Sequence, residues 1–239
     1  MSQTERVFYS GLEQLIKLND TGVTFAADAK NDYPDCNNSI TTQDCHIGRD
    51  VTHNDDSDGV AGFSFTKLDA NGIPLVDQSV DYATEPWTCV RDNVTGLIWE
   101  VKTDSDSNDP LDWGPHDLRR SWNNPDPLIQ DANDNNFCGL NNWREPTYPE
   151  HLSAVNFSQI RGILDPSYFP HQVSALFDTG TRWRTSTKHQ IDVGYPVIFV
   201  LLPNFQAPGG GIGDARLSYF GAINSENPYL RLVHGPIQQ

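Results

Sequence analysis

The stretch from Trp87 to Glu100 constrains this fold more than any other part of the sequence. Two short runs, Thr88 to Arg91 and Leu97 to Val101, are rich in β-branched, aliphatic and aromatic residues, and Asn93-Val94-Thr95-Gly96 divides them. Residues of the first kind suit a pleated, half-buried strand, and Asn and Gly suit the turn between two of them. The stretch therefore reads as a hairpin with Trp99 in a core. Three later segments echo it: Asn142-Trp143-Arg144-Glu145-Pro146, Trp183-Arg184-Thr185-Ser186-Thr187 and Leu230-Arg231-Leu232-Val233-His234-Gly235. Each sets a Trp or Leu against an Arg, and their wide spacing predicts strands gathered into one domain rather than a local repeat.

Residues 5–18 place apolar side chains with partly helical spacing and end near Asn19-Asp20-Thr21-Gly22, which predicts a short helix, or a strand and helix. Residues 28–60 are polar and predict a long ordered loop. Phe63 to Leu68 alternates at period two, and a turn at Asp69 to Gly72 before Ile73 to Val76 predicts a hairpin. Helices are expected around Pro127 to Asn133 and from Pro149 to Phe157, where Leu152 and Val155 share a face and Pro149 suits a first turn. Further strands are expected at Trp183 to Ser186, Pro196 to Leu202, Ala215 to Phe220 and Leu230 to Val233. This mixed order indicates an α+β fold with short antiparallel strands, two helices and long ordered loops. We expect an N-terminal extension over residues 1–60, packed on a main domain over residues 61–239.

The net charge of −16 and the scattered Lys and Arg argue against nucleic acid or an anionic membrane as partner, because both need a clustered basic footprint. No apolar run approaches the roughly 18 residues of a membrane span. The first residues carry no hydrophobic signal-peptide core, so the expectation is a mature exported segment without its signal peptide. High acidity with few Lys fits an extracytoplasmic protein, at the cell surface, secreted or periplasmic.

Four Cys without CxxC spacing permit two disulfides in three possible connectivities. Cys36 with Cys45 and Cys89 with Cys138 are favoured, because each pair closes a loop around an irregular segment. Four reduced core cysteines are the alternative.

Asn54-Asp55-Asp56-Ser57-Asp58-Gly59 sets oxygen side chains at alternate positions before a Gly, as at the start of a calcium loop. Asn54 replaces the usual first Asp and Phe65 stands where the closing Glu belongs, so a full EF-hand is excluded. Asp55, Asp56 and Asp58 are candidate calcium ligands, and solvated Asx turns are the competing reading. No nucleophile elbow, zinc-protease helix or phosphate loop is present. The Gly-rich run Pro208 to Asp214 lacks the Lys of a phosphate cradle and reads as a flexible loop. The Trp-Arg pairs offer stacking faces and guanidinium donors to a sugar. A framework role is the stronger reading, with Trp99, Trp143 and Trp183 in the core and Arg144 and Arg231 tying loops to a strand.

The opening segment and its echoes, with Leu18 to Thr24, Gly48 to Asp50, Asn54 to Gly59, Phe63 to Asp69, Cys138-Gly139 and Asp165 to Pro170, resemble the DUF1566 family, the C-terminal domain of the Legionella collagen-like protein. The resemblance implies a C-type-lectin-like fold of the formylglycine-generating-enzyme variety and an exported bacterial surface or adhesin role. Departures fall at framework positions: Glu145 follows Trp143-Arg144, Arg184 follows Trp183, and His234 replaces an Arg. No Cys follows Cys138, so the late cysteine pair of formylglycine-generating enzymes, and their activity, are not implied.

The expectation is thus a non-enzymatic ligand-binding module whose partner is a glycan or a cell-surface protein. Segments 183–192 and 203–226 are rich in Tyr, Asn, Ser, Arg and Gly, the adaptable contact chemistry of binding loops. Arg184, His189, Asn204, Gln206, Tyr219, Asn224 and Tyr229 are the candidate ligand contacts. A self-associating structural subunit or tip of an extracellular assembly is the alternative, and a hydrolase stands third.

Overall fold

Gly, Pro, Asn and Asp interrupt the chain so often that its elements stay short, and the computed structural model is built of such pieces. It describes residues 19–27, 32–33, 36, 42–53, 55–105, 114–118, 124–157, 164–171, 181–188, 196–201, 217–220 and 229–236. In chain order these hold β1 (Ala26–Ala27), β2 (Asp32–Tyr33), α1 (Asp44–Ile47), α2 (Arg49–Thr52), β3 (Phe65–Leu68), β4 (Cys89–Asp92) and β5 (Ile98–Glu100). Next come α3 (Asp126–Asp134), a 3-10 turn (Phe137–Gly139), α4 (Tyr148–Ser153), β6 (Thr181–Lys188), β7 (Pro196–Leu201), β8 (Leu217–Phe220) and β9 (Val233–His234). The fold is α+β. All the ladders between these strands are antiparallel: β1-β2, the four-stranded sheet β3-β4-β5-β9 and the three-stranded sheet β6-β7-β8.

The opening segment forms the expected hairpin, with Cys89 opposite Glu100, Val90 opposite Trp99 and Arg91 opposite Ile98. Its turn is built by Asp92, whose carboxylate accepts the Val94 and Thr95 N–H groups at 2.9 and 3.1 Å. The Gly96 N–H closes the turn on the Asp92 carbonyl at 2.8 Å. Two of the three echoes meet this hairpin. Val233 pairs with Trp99 from one side, and Arg144 and Val233 exchange both main-chain hydrogen bonds at 3.0 Å from the other. The third echo lies in β6 of the other sheet and touches the second, through the Ser186 N–H on the Pro146 carbonyl at 2.8 Å.

Strand alternation splits the core between the two faces of the main sheet. Val90, Trp99 and Val233 face a cluster with Phe63, Phe65, Trp87 and Phe169. Their neighbours Cys89 and Leu232 face a second cluster with Leu68, Cys138, Trp143 and Leu230, covered by Leu128 and Ala132 of α3. Leu128 and Ala132 are four residues apart and so share one face of that helix. Trp99 and Trp143 are 1% and 2% exposed, as the framework reading of the Trp-Arg pairs expects.

Several expectations are corrected. The hairpin over residues 63–76 forms only as a single antiparallel bridge, Leu68 to Pro74, with the Asp69 N–H on the Ile73 carbonyl at 2.9 Å and the Leu75 N–H on the Lys67 carbonyl at 3.0 Å, while the full ladder of β3 is with β4. The Asp69 carboxylate shapes the turn between them by taking the N–H groups of Asn71 and Ile73, both at 2.8 Å. The second predicted helix ends at Ser153, leaving Val155 beyond it but still 4% exposed. The polar stretch 28–60 is not loop alone, since it holds β2, α1 and α2. Cys36 and Cys45 are joined as expected. Cys89 and Cys138, the other expected pair, stand as two buried free thiols in this structure, and Cys138 Sγ donates to the Asp69 carbonyl at 3.3 Å. The helix expected within residues 5–18 lies outside the described residues. Among the described residues no helix is long and apolar enough to cross a membrane.

Candidate functional site

Charged side chains meet in the interior where β5 leaves the sheet. Glu100 is 0% exposed and Lys102 is 2% exposed. Spaced two apart in an extended chain, they share a side, and Lys102 Nζ donates to Glu100 Oε1 at 2.7 Å. A parallel bridge between Thr103 and Asp117 brings the chain back to this point. That return brings His116 Nδ1 to 2.6 Å from Glu100 Oε1, while its Nε2 lies 3.7 Å from Asp131 Oδ2 on α3. The His116 ring stacks on Phe137 with centroids 3.9 Å apart. Asp117, fully buried, accepts the Ser105 N–H at 2.9 Å.

The last echo closes the network. Leu232 N–H donates to Glu100 Oε2 at 2.7 Å, and the Arg231 guanidinium donates to the Glu100 carbonyl. Arg231 is 1% exposed and lies 5.2 Å over the Phe169 ring. Burial alone would raise the Glu100 carboxyl, but the Lys102 ammonium and His116 outweigh it and hold the pKa at about 2. Burial wins for the two cations, lowering Lys102 despite Glu100 and bringing Arg231 down to about 10. The carboxylate is thus the best served member, with N–H donors on both oxygens. Asp92, equally buried, moves the other way: desolvation exceeds the help of Thr95, Val94 and Asn19, and its pKa rises.

A second buried acid, Glu150, holds a forked pair with Arg144 at 2.8 and 2.7 Å and accepts the Thr147 N–H at 2.7 Å. Arg144 also donates to the carbonyls of Glu145, Gly235 and Pro236. It binds loops to a strand, as the framework reading expects. Lys67 is 4% exposed, donates to the Val80 carbonyl at 2.7 Å and lies 4.3 Å over the Trp87 ring. Burial lowers its pKa.

The predicted ligand contacts are mostly outside what is described. His189, Asn204, Gln206 and Asn224 lie outside the described residues. Arg184 is placed on β6 opposite Ile198, and Tyr219 on β8 opposite Phe199. Ile198 and Phe199 are successive residues of β7, so the two positions fall in neighbouring cross-strand rows of one sheet. Tyr229 is half-buried beside the fully buried Leu230.

The acidic loop is described at Asp55, Asp56 and Asp58. Each carboxylate bonds its own loop: Asp55 accepts Ser57 N–H at 3.0 Å, Asp56 accepts Ala61 N–H at 3.2 Å, and Asp58 accepts the Ser64 hydroxyl. The Asp55–Ser57 bond is an Asx turn, and the other two carboxylates brace the loop over longer spans. Among the described residues Cys36, Cys45 and His46 bring three potential ligand atoms within 4.8 Å of one another. Both sulfurs are spent in the disulfide, which leaves one nitrogen and no metal centre.

The network around Glu100 was not among the sequence-derived sites. Its signal was present in the alternation of Glu100 and Lys102 beside Trp99 and Val101, and of Arg231 between Leu230 and Leu232. Charges inside apolar strand patterns need partners. The partners His116 and Asp117 come from an acidic, Pro-containing insertion whose return no local pattern announces.

No curated protein and no solved structure matches this chain. The profile of one family does match, over residues 88–233, the span that holds both strands of the hairpin, the buried network, the first two echoes and the start of the third. The chain belongs to the Lcl C-terminal domain family.

Proposed function

We propose that this chain is a non-enzymatic ligand-binding module of an exported bacterial surface protein, acting outside the cytoplasm. Its family membership supports the surface context. The observation that carries the reading is the use made of the buried ionisable groups. Glu100, Lys102, Arg144, Glu150 and Arg231 all engage main-chain or side-chain partners within the framework. A carboxyl held at about 2 is a fixed anion near neutral pH and serves poorly as general acid or base. A frame of this kind leaves recognition to the loops it carries.

We place recognition on segments 183–192 and 203–226 and take a glycan or a cell-surface protein as the occupant. A C-type-lectin-like arrangement is the finer fold that this reading adopts. The test is a glycan array together with a surface-protein pull-down, each run with calcium and with chelator. Specific capture that weakens on replacing Arg184 or Tyr219 with Ala supports the proposal, and blank results in both formats with calcium present sink it. Calcium-dependent capture, with a melting temperature lowered by chelator, assigns the 55–58 loop a ligand role. Equal capture and equal melting leave those carboxylates as turn formers.

A further inference from the structure

Cys89 and Cys138 set a second sulfur pair inside the core. Cys89 lies on β4, paired on one side by β3 and on the other by β5, and Cys138 lies in the 3-10 turn after α3. They are 0% and 2% exposed and share one core cluster with Leu128, Ala132 and Trp143, near enough that Cys138 adds to burial in raising the Cys89 thiol. Cys138 is held in the left-handed backbone region at φ 56°, and the neighbouring Gly139 packs directly on the Asn71 main chain. The turn thus keeps Cys138 against the sheet while its sulfur donates to the Asp69 carbonyl. The same chain carries a closed disulfide between Cys36 and Cys45, so an environment that forms the first bond supplies an oxidant for the second.

We propose that Cys89 and Cys138 are a dithiol–disulfide couple that covalently ties the central sheet to the turn after α3. The oxidant is a small-molecule disulfide or a protein thiol oxidase of the thiol–disulfide exchange class. One Cys thiolate attacks the oxidant disulfide and expels a thiol, giving a mixed disulfide. The other Cys thiolate then displaces the second thiol. Two S–H bonds are lost, one S–S bond forms, and two electrons and two protons pass to the oxidant, which leaves as two thiols. Burial pushes the Cys89 thiol up and favours its neutral form, so closure is slow in the packed core and fast while the chain folds or the 137–140 turn opens. Glu100, Lys102, His116 and Asp117 all lie between the two cysteines, so the bond closes a loop around that part of the buried network, with Arg231 and Leu232 joining from outside it. This inference does not depend on the ligand-binding reading.

The full chain, reduced and unfolded, is refolded across a series of reduced-to-oxidised glutathione ratios, quenched in acid, alkylated and mapped by mass spectrometry. Oxidising ratios should yield a species with no alkylated cysteine, about 2 Da lighter for each bond formed, and a peptide linking Cys89 to Cys138. That species should melt at higher temperature than the one closed only at Cys36–Cys45, and Cys89→Ala/Cys138→Ala should lose the increment. Two alkylated cysteines mapping to Cys89 and Cys138 at every ratio overturn the proposal. A bond from either of them to Cys36 or Cys45 as the main product also overturns it.

Discussion

Lys102 Nζ lies 2.7 Å from Glu100 Oε1, and neither side chain is more than 2% exposed. Two ions taken this far from water stabilise a fold only together, because either one alone is an uncompensated charge in a poor solvent. Glu100→Gln keeps the shape and removes the anion beside Lys102. It should cost roughly 3–5 kcal/mol in urea unfolding. Adding Lys102→Met to it should restore part of the loss, because the orphaned ammonium then leaves with its partner. A Glu100→Gln protein within about 0.5 kcal/mol of wild type would refute the view that this pair organises the interior.

Two of the fully buried carboxylates, Glu100 and Asp92, should be separable by pH. Glu100 falls from its ordinary 4.5 to about 2 in the fold, so its contribution is present above 4.5 and is lost as pH falls from there towards 2. The shift corresponds to roughly 3 kcal/mol at most. Asp92 is raised above its ordinary 3.8, so the folded state holds its proton more tightly and gains from acid. Stability curves of wild type minus Glu100→Gln should therefore shrink as pH is lowered through that window. Wild type minus Asp92→Asn should instead grow as pH falls towards 3.8 from above, and level off below it. Parallel curves for the two variants would contradict the opposite directions.

Arg144 tests geometry rather than charge. Its guanidinium forks onto Glu150 and reaches the carbonyls of Glu145, Gly235 and Pro236. Lys keeps the positive charge but has no planar fork and cannot serve so many acceptors. Arg144→Lys should lose about 2–3 kcal/mol by denaturant titration. A double-mutant cycle with Glu150→Gln should return a coupling of about 1–3 kcal/mol. Zero coupling would mean that the fork adds nothing to the five-bond anchor.

The sequence revealed what rests on neighbouring residues. The hairpin from Trp87 to Glu100 was legible because strand formers flank a turn in which Asp92 and Gly96 have fixed duties. The framework role of Arg144 and Arg231 was legible because each follows a core Trp or Leu. What failed depended on partners far along the chain. β3 takes β4 as its ladder partner on the edge opposite the short bridge to Pro74, and His116 reaches Glu100 only through a return that composition does not signal. The proposed ligand contacts rest on loop chemistry alone, and register places Arg184 and Tyr219 in neighbouring rows of one sheet.

Two glycines with left-handed backbones give a sharper test of how the turns pack. Gly96 (φ 78°) closes the opening hairpin, and a Cβ built there meets nothing within 4 Å. Gly139 (φ 64°) follows Cys138, and a Cβ there would lie 2.3 Å from the Asn71 carbonyl oxygen and 2.7 Å from its carbon. Ala in the left-handed region costs about 1–2 kcal/mol for conformation alone. Gly96→Ala should lose that and no more. Gly139→Ala bears the same cost and must also push the 69–72 turn away from the 3-10 turn, since main chain cannot swing aside as a side chain does. Its loss should exceed that of Gly96→Ala by at least about 1–2 kcal/mol. Amide exchange should locate the extra damage at Asn71 to Ile73, leaving Asp92 to Leu97 protected as in wild type. Equal losses for the two variants would mean that the contact between the turns is not what holds Cys138 against the sheet.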